Sequence, residues 1–423
     1  MAYQKVTTTS YGQRVKKGIS GVGTGFVMFI AATILLFWNE GRTAKTASML
    51  KRAEKACVEL GDVNQVNPDM NGQLIHATGE TATDDILTDD VFGISINAIR
   101  LTRSVEYYQW TERTETETRD KIGGGQETTT TYYYEKKWVS SPVNSNNFEY
   151  STSESGEPMN NFTLFSFEGE SKLAQNVSFG AYTLPEGLIS QIGGSQTLKP
   201  ELSDQVVAAL ENQARSVKKG GRDVSYVHVN NSTVYLGESE NAPQVGDMKV
   251  TFSYILPHTV SILAKVNGST FEKHTDAKNG KTLLTLSDGT ISMEEMFATE
   301  KANNKALAWL LRVLGIILLY LGLKGILDIV TTLLKVLPFL SNIASLGTGL
   351  VAGVLALVWG FLIIAIAWLW YRPVVGIIML ILAGALIWFL GKKSKEKAAA
   401  KAAEAAAAPA PAPAPAAPEK PAE

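Results

Sequence analysis

GISGVGTGFVMFIAATILLFWN, residues 18–39, lies between Lys17 and Glu40 and contains no charge. About 20 apolar residues in a helix cross a hydrocarbon layer roughly 30 Å thick, so this run is long enough to span a bilayer. A cleaved secretory leader has an apolar core of only about 7–15 residues and then a small-residue cleavage site. Here the core runs on into Phe37-Trp38-Asn39-Glu40, which reads as a retained anchor over 19–38. Gly21 and Gly25 have the GxxxG spacing that lets a second helix approach closely. The cluster Gly21-x-Gly23-x-Gly25 is not a nucleotide loop, because no strand precedes it.

Three more apolar stretches follow in the second half of the chain. Ala306 to Leu323 carries a single charge, Arg312, close enough to the helix start to snorkel to the interface. Val336 to Tyr371 carries no charge and is too long for one crossing; Pro338 and Ser341-Asn342 interrupt it early, which leaves a span over 345–371. A fourth span follows Pro373, over 374–391. Between the second and third spans, Lys324, Asp328, Thr331 and Lys335 recur at helical steps with apolar residues on the other faces. That pattern predicts an amphipathic helix over 324–342 lying in the interface, the alternative being a plain extension of the second span. Aromatic residues mark the span ends, as rings at headgroup level do: Phe37 and Trp38, Trp309, Trp368 to Tyr371, then Trp388 and Phe389.

Positive charge marks the cytosolic side of a membrane protein. The flanks of the first span tie, with Lys5, Arg14, Lys16 and Lys17 against Arg42, Lys45, Lys51 and Arg52. Lys392, Lys393, Lys395 and Lys397 decide in favour of cytosolic termini, although Arg372 then faces outward. Residues 1–18 and the Ala/Pro/Lys-rich, disordered tail over 392–423 are thus expected in the cytosol, and residues 39–305 outside it. The chain's 39 basic and 41 acidic residues show no basic surplus, which argues against nucleic-acid binding. Cys57 is the one cysteine, so no intrachain disulfide can staple the outer domain.

That domain opens with a helical stretch, Thr43 to Leu60, and then alternates with period two over Gln73–Glu80, Gly93–Arg100, Val224–Tyr235 and Lys249–Tyr254. A second helix is expected over Glu201–Ser216. The fold class is therefore a multi-pass α-helical membrane protein of four spans with a large β-rich α+β extracytoplasmic domain. Its clearest local feature is a long hairpin, Arg103–Arg119 with Thr128–Val139, around Gly123-Gly124-Gly125. Folding about Gly124 pairs Trp110 with Trp138, Glu112 with Lys136 and Arg113 with Glu135, cross-strand pairs that each contribute about 0.2–1 kcal/mol.

No metal-like spacing joins His76, His228, His258 or His274 to another ligand type, and no nucleophile elbow or phosphate loop occurs. Asp84-Asp85 and Asp89-Asp90 do not match a calcium loop and read as solvated acids. No catalytic, cofactor or metal residues are assigned. Two surfaces suit interactions instead. The hairpin carries Tyr107, Tyr108, Trp110, Tyr132, Tyr133, Tyr134 and Trp138; strand alternation sends about half to the core and leaves the others for a partner. At the membrane–domain junction, Asn39-Glu40-Gly41-Arg42 can lock the first span to the domain through an arginine–carboxylate contact, with Trp309, Tyr371 and Arg372 at the ends of the other spans.

LLFWNEGR at 35–42, SVEYYQW at 104–110, NSNNF at 144–148, GDMKVTFSY at 246–254, LLRVLGIILLYLGL at 310–323 and LWYRP at 369–373 resemble the transmembrane protein 43 family, also called LUMA. The motifs occur in order along almost the whole chain before the tail. The resemblance implies four spans, a large domain in the lumen of the endoplasmic reticulum or nuclear envelope, self-association, and a non-enzymatic role in organising membrane proteins at the inner nuclear membrane. A low-complexity Ala/Pro/Lys tail is instead typical of bacterial envelope proteins; in a bacterium the domain would be periplasmic and nuclear partners such as emerin and lamins would not carry over. The expected function is a membrane-anchored scaffold acting on other membrane or envelope proteins, with the lipid bilayer and further copies of itself as partners. The alternatives are a periplasmic sensor or chaperone-like envelope-stress protein, and an enzyme at the membrane face.

Overall fold

The structure, a computed structural model, describes residues 2–218, 224–334, 338–374, 376–378 and 381. Its helices are α1 (Tyr11–Ala56), α2 (Glu186–Ile189), α3 (Asp204–Lys218), α4 (Met293–Leu334) and α5 (Pro338–Tyr371). Three of them, α1, α4 and α5, are long and apolar enough to cross a membrane. The expected fourth span and the tail lie outside the described residues, apart from a few at the start of the span.

The helix α1 starts at a capping box: the Ser10 hydroxyl accepts from Gln13 N, and the Gln13 side chain accepts from Ser10 N. It then runs unbroken for 46 residues, about 70 Å at 1.5 Å per residue. The first span and the helical stretch expected after it are one rod. Gly41 lies within it, and the Tyr371 ring packs where a side chain would stand: a Cβ there would come within 2.6 Å of that ring. The rod ends at Ala56, since Val58–Glu59 turns extended and pairs with Ile75–His76.

Residues Ser292 and Glu295 cap α4 in the same reciprocal way. This helix also runs on without interruption, so the interfacial helix expected over 324–342 is corrected: Lys324 to Leu334 prolong the second span. Ile329 and Thr332 lie against Gly18 of α1, and Thr331 and Thr332 are buried. Pro338 forms the first residue of α5 rather than a break within it. The helices α1 and α4 are antiparallel, and their closest approach needs glycine on both. A Cβ on Gly25 would lie 2.6 Å from the Gly322 carbonyl oxygen, and one on Gly322 2.9 Å from that of Gly25. Gly21 faces open space where its Cβ would be, so of the two glycines singled out only Gly25 makes the side-chain-free contact.

Among the described residues the domain has two main sheets, of eight and seven strands. In the larger, Arg100–Asp120 and Gln126–Val139 form the hairpin, and Met248–Ile255, Thr233–Leu236 and Val227–Asn230 continue from its base. Val105, Tyr107, Val250 and Phe252 pack there against Leu210 and Ala214 of α3. In the smaller, Leu74–Ala82 pairs with Thr259–Asn267 over Phe179, Tyr182 and Phe271. Met49, Leu50 and Ala53 of α1 meet Leu263, Leu283, Met296 and Phe297, so both rods end inside the domain core.

The hairpin register differs from expectation by two. Its turn spans Lys121–Gly125 and centres on Gly123; Gly123 and Gly124 both adopt positive φ, 89° and 84°. Moving the centre by one residue moves every pair by two and keeps each side chain on its face. Trp110 therefore faces Lys136 and Trp138 faces Tyr108, so the tryptophans are diagonal neighbours on one face rather than directly opposed. A larger departure concerns the amino terminus. Ala2–Thr9 is a strand paired along its length with Gln126–Tyr133, so the first residues belong to the domain's sheet. The hairpin thus reaches back along the bundle, and its tip closes on the start of α1. Arg14 bridges Asp120 at 2.7 Å and donates to the carbonyls of Gly124 and Gly125, while the Tyr11 hydroxyl donates to Leu333 O.

Candidate functional site

Glu40 sits where the bundle meets the domain and is 1% exposed. It accepts two hydrogen bonds from Arg312 of α4, from Nε at 2.6 Å and from NH2 at 2.8 Å. A third comes from Trp368 Nε1 of α5, at 2.7 Å. The Arg312 guanidinium also lies over the rings of Trp309 and Trp368, at 5.0 and 5.9 Å. Bidentate, charge-assisted bonds of this kind are the strong ones, and here a single carboxylate ties three helices together. Arg312 is thus an internal partner rather than a snorkelling side chain.

The next turn of α1 adds an amide layer. Asn39 Nδ2 donates to Ala308 O at 3.0 Å, and Asn304 Nδ2 donates to Thr43 O at 3.1 Å. Arg42 donates to Asn304 Oδ1, Asn39 Oδ1 and the Thr43 hydroxyl. The carboxylate contact of the NEGR motif belongs to Glu40, and its arginine comes from another helix.

Beside this layer a cavity of about 890 Å³ opens between α1, α4 and the end of α5. Its floor is Arg312, Trp309, Trp368 and Tyr371, and its walls carry Lys51, Lys301, Lys305 and Arg372. Among the described residues that line it, Glu54 is the one carboxylate, and it is engaged by Lys301 at 2.6 Å. A smaller hollow of about 290 Å³ lies on the far side of Tyr371, lined by Trp38, Arg42, Lys45 and Lys281.

The junction residues expected from sequence, Asn39, Glu40, Arg42, Trp309, Tyr371 and Arg372, all come together here. The hairpin aromatics do not form a comparable surface. Tyr107, Trp110 and Tyr134 are buried. Tyr108 and Trp138 pack on one another at a tilt, with Trp138 also against Tyr235, and Tyr132 packs on Tyr150. Burial, together with the bond to Glu112, pushes the Tyr134 hydroxyl's pKa up. Sequence reasoning marked Trp368 only as a span end, and it did not point to Asn304 or to the lysines as lining a common cavity. A usable signal existed for Arg312: a charge inside an apolar helix calls for a partner, and Glu40 flanks the nearest span.

His76 bridges Glu59 and the Ile291 carbonyl, His228 meets the Gly237 carbonyl at 3.1 Å, and His258 meets Asp288 at 3.0 Å. Asp85 caps the amides of Gln175 and Asn176, and Asp89 pairs with Arg103. Among the described residues no three acidic, histidine or cysteine side chains are placed to hold a metal.

The family model of Transmembrane protein 43 matches residues 107–373. The chain belongs to the transmembrane protein 43 family. Transmembrane protein 43 of Mus musculus is 29% identical over 371 residues, which cover 85% of this chain and 87% of that one. The Homo sapiens protein is 29% identical over 382 residues, covering 87% and 90%. The Drosophila melanogaster homolog is 27% identical over 377 residues, covering 86% and 93%. No solved structure gives a significant match. The stretch matched by the family model holds the α4 and α5 side of the junction, including Arg312 and Trp368, and begins after Glu40.

Proposed function

We propose that the protein is a non-enzymatic scaffold, anchored by several helices, that organises other membrane proteins through its β-rich domain. The observation that carries this reading is the rigid junction. Both α1 and α4 pass unbroken from bundle to domain core, and the buried Glu40–Arg312–Trp368 cluster fixes their spacing at the boundary. A domain held that way cannot swing freely; it stands at a set height and angle on the bilayer. The body of the domain lies outside the cytosol, as the carboxyl-terminal lysines favour, and its hairpin returns along the bundle to the side of the amino terminus. In a nucleated cell the body's side is the lumen of the endoplasmic reticulum and nuclear envelope; in a bacterium it is the periplasm.

The hairpin supports self-association. From Arg113 to Arg119 it is exposed, and it carries threonine and charge on both faces. Polar strands with open edges do not sit in lipid, so a hairpin running beside membrane-crossing helices needs protein or water along its flank. Neighbouring copies supply that flank. Chemical crosslinking in native membranes, followed by identification of what co-purifies, tests the proposal. Other membrane proteins should recur with the chain, together with crosslinked dimers or higher species. Recovery of monomer alone would sink both parts of the reading.

A further inference from the structure

We propose that the larger junction cavity is a binding site for the phosphate headgroup of an anionic glycerophospholipid, held by Lys51, Lys305 and Arg372. Three observations carry this. First, the charges do not balance. Of the basic groups lining the cavity, Arg312 is engaged by Glu40 and Lys301 by Glu54. Among the described residues Lys51, Lys305 and Arg372 have no ion-pair partner, and they come from three different segments facing one space. A phosphate takes several such donors at once.

Second, the depth is that of lipid headgroups. Trp309 and Trp370 are 64% and 76% exposed at the same end of the bundle, as interfacial aromatics are. Third, an apolar stripe able to take acyl chains starts at the cavity's edge: Val313 and Ile317 of α4, both exposed, follow the lining residue Trp309 at successive four-residue steps along the helix. A soluble phosphate would use the cations alone; a lipid uses both the cations and this stripe. The proposal needs only membrane insertion, so it stands or falls apart from the scaffold reading.

The test uses the full chain in detergent micelles and counts retained lipid by native mass spectrometry. Added phosphatidylglycerol should be held in preference to phosphatidylcholine. The variant K51Q/K305Q should lose most of that preference, at about fivefold per cation near a membrane surface. The charge-matched control K45Q/K281Q, in the smaller hollow, should keep it, and near-unchanged melting of both variants shows that they remain folded. Equal retention of the two lipids, or equal loss in both double variants, would overturn the site. Competition by millimolar inorganic phosphate as effective as that by phosphatidylglycerol would overturn the lipid as its ligand.

Discussion

Two arginine–carboxylate pairs hold the two ends of the membrane-crossing part of α1, and they are built differently. At the domain end, Glu40 accepts from Arg312 and Trp368, so the pair joins helix to helix across the bundle. At the opposite end, Arg14 meets Asp120 and two carbonyls of the glycine turn, so the pair joins a helix to the tip of a hairpin. The first is surrounded by three rods that pack along their length. The second closes a ribbon whose residues 113–119 no other part of the described chain covers. One end is therefore braced by packing, and the other by a latch.

The largest effect is expected where packing leaves no relief. Glu40→Ala strands the Arg312 guanidinium among apolar helices, and losing one partner of a buried pair costs about 3–5 kcal/mol. Thermal unfolding in detergent should show it, with much of the loss regained in Glu40→Gln combined with Arg312→Gln. If Glu40→Ala melts like the parent chain, the braced end is not braced. Next comes Gly25→Leu, which drives a side chain into the Gly322 backbone. Overpacking of this kind costs about 1–3 kcal/mol, and crosslinking between α1 and α4 should weaken while the domain keeps its fold.

At the latch, Arg14→Ala leaves the two turn carbonyls without their donor, a loss of about 1–3 kcal/mol. Its signature is local: hydrogen exchange should rise over 2–9 and 126–133 and stay unchanged at the junction. Cysteines at Thr7 and Thr128, which face each other in the register, should form a disulfide on oxidation; failure to do so would break the comparison at this end.

The smallest effect concerns Cys57, just past the end of α1. Burial, with Glu59 adding to it, pushes its thiol from 9.0 up to about 12. At pH 8 the folded chain should alkylate roughly a hundred- to thousandfold more slowly than the unfolded chain, since the thiolate is the nucleophile. Between pH 9.0 and about 12 the unfolded chain gives up this proton while the folded chain keeps it. Stability should therefore fall as pH rises through that window, and Cys57→Ala should lack that part of the slope.

The braced end was largely legible in the sequence and the latch was not. Charge-free runs, flanking tryptophans and the NEGR motif are local signals, and they marked the first three spans and the junction. The pairing of Arg312 with Glu40 lies 272 residues apart in the chain, but polarity inside an apolar helix announces that some partner exists. The strand AYQKVTTT announces nothing comparable. It is short and mostly polar, and its partner lies more than a hundred residues away, so neither periodicity nor turn chemistry points to it. Gly41 is unannounced in a third way: the Tyr371 ring from a distant helix occupies the place of its side chain, and nothing local in the sequence points to that contact.

The pairing of Ala2–Thr9 with Gln126–Tyr133 also sets an order of events during synthesis. The partner strand leaves the ribosome about 120 residues later, roughly 6–25 s at ordinary elongation rates. Through that interval the amino-terminal strand has an unsatisfied edge, open to any other strand nearby. The anchor helix is complete well before the hairpin that latches onto its start, so the chain enters the membrane first and is fastened at its amino end only afterwards.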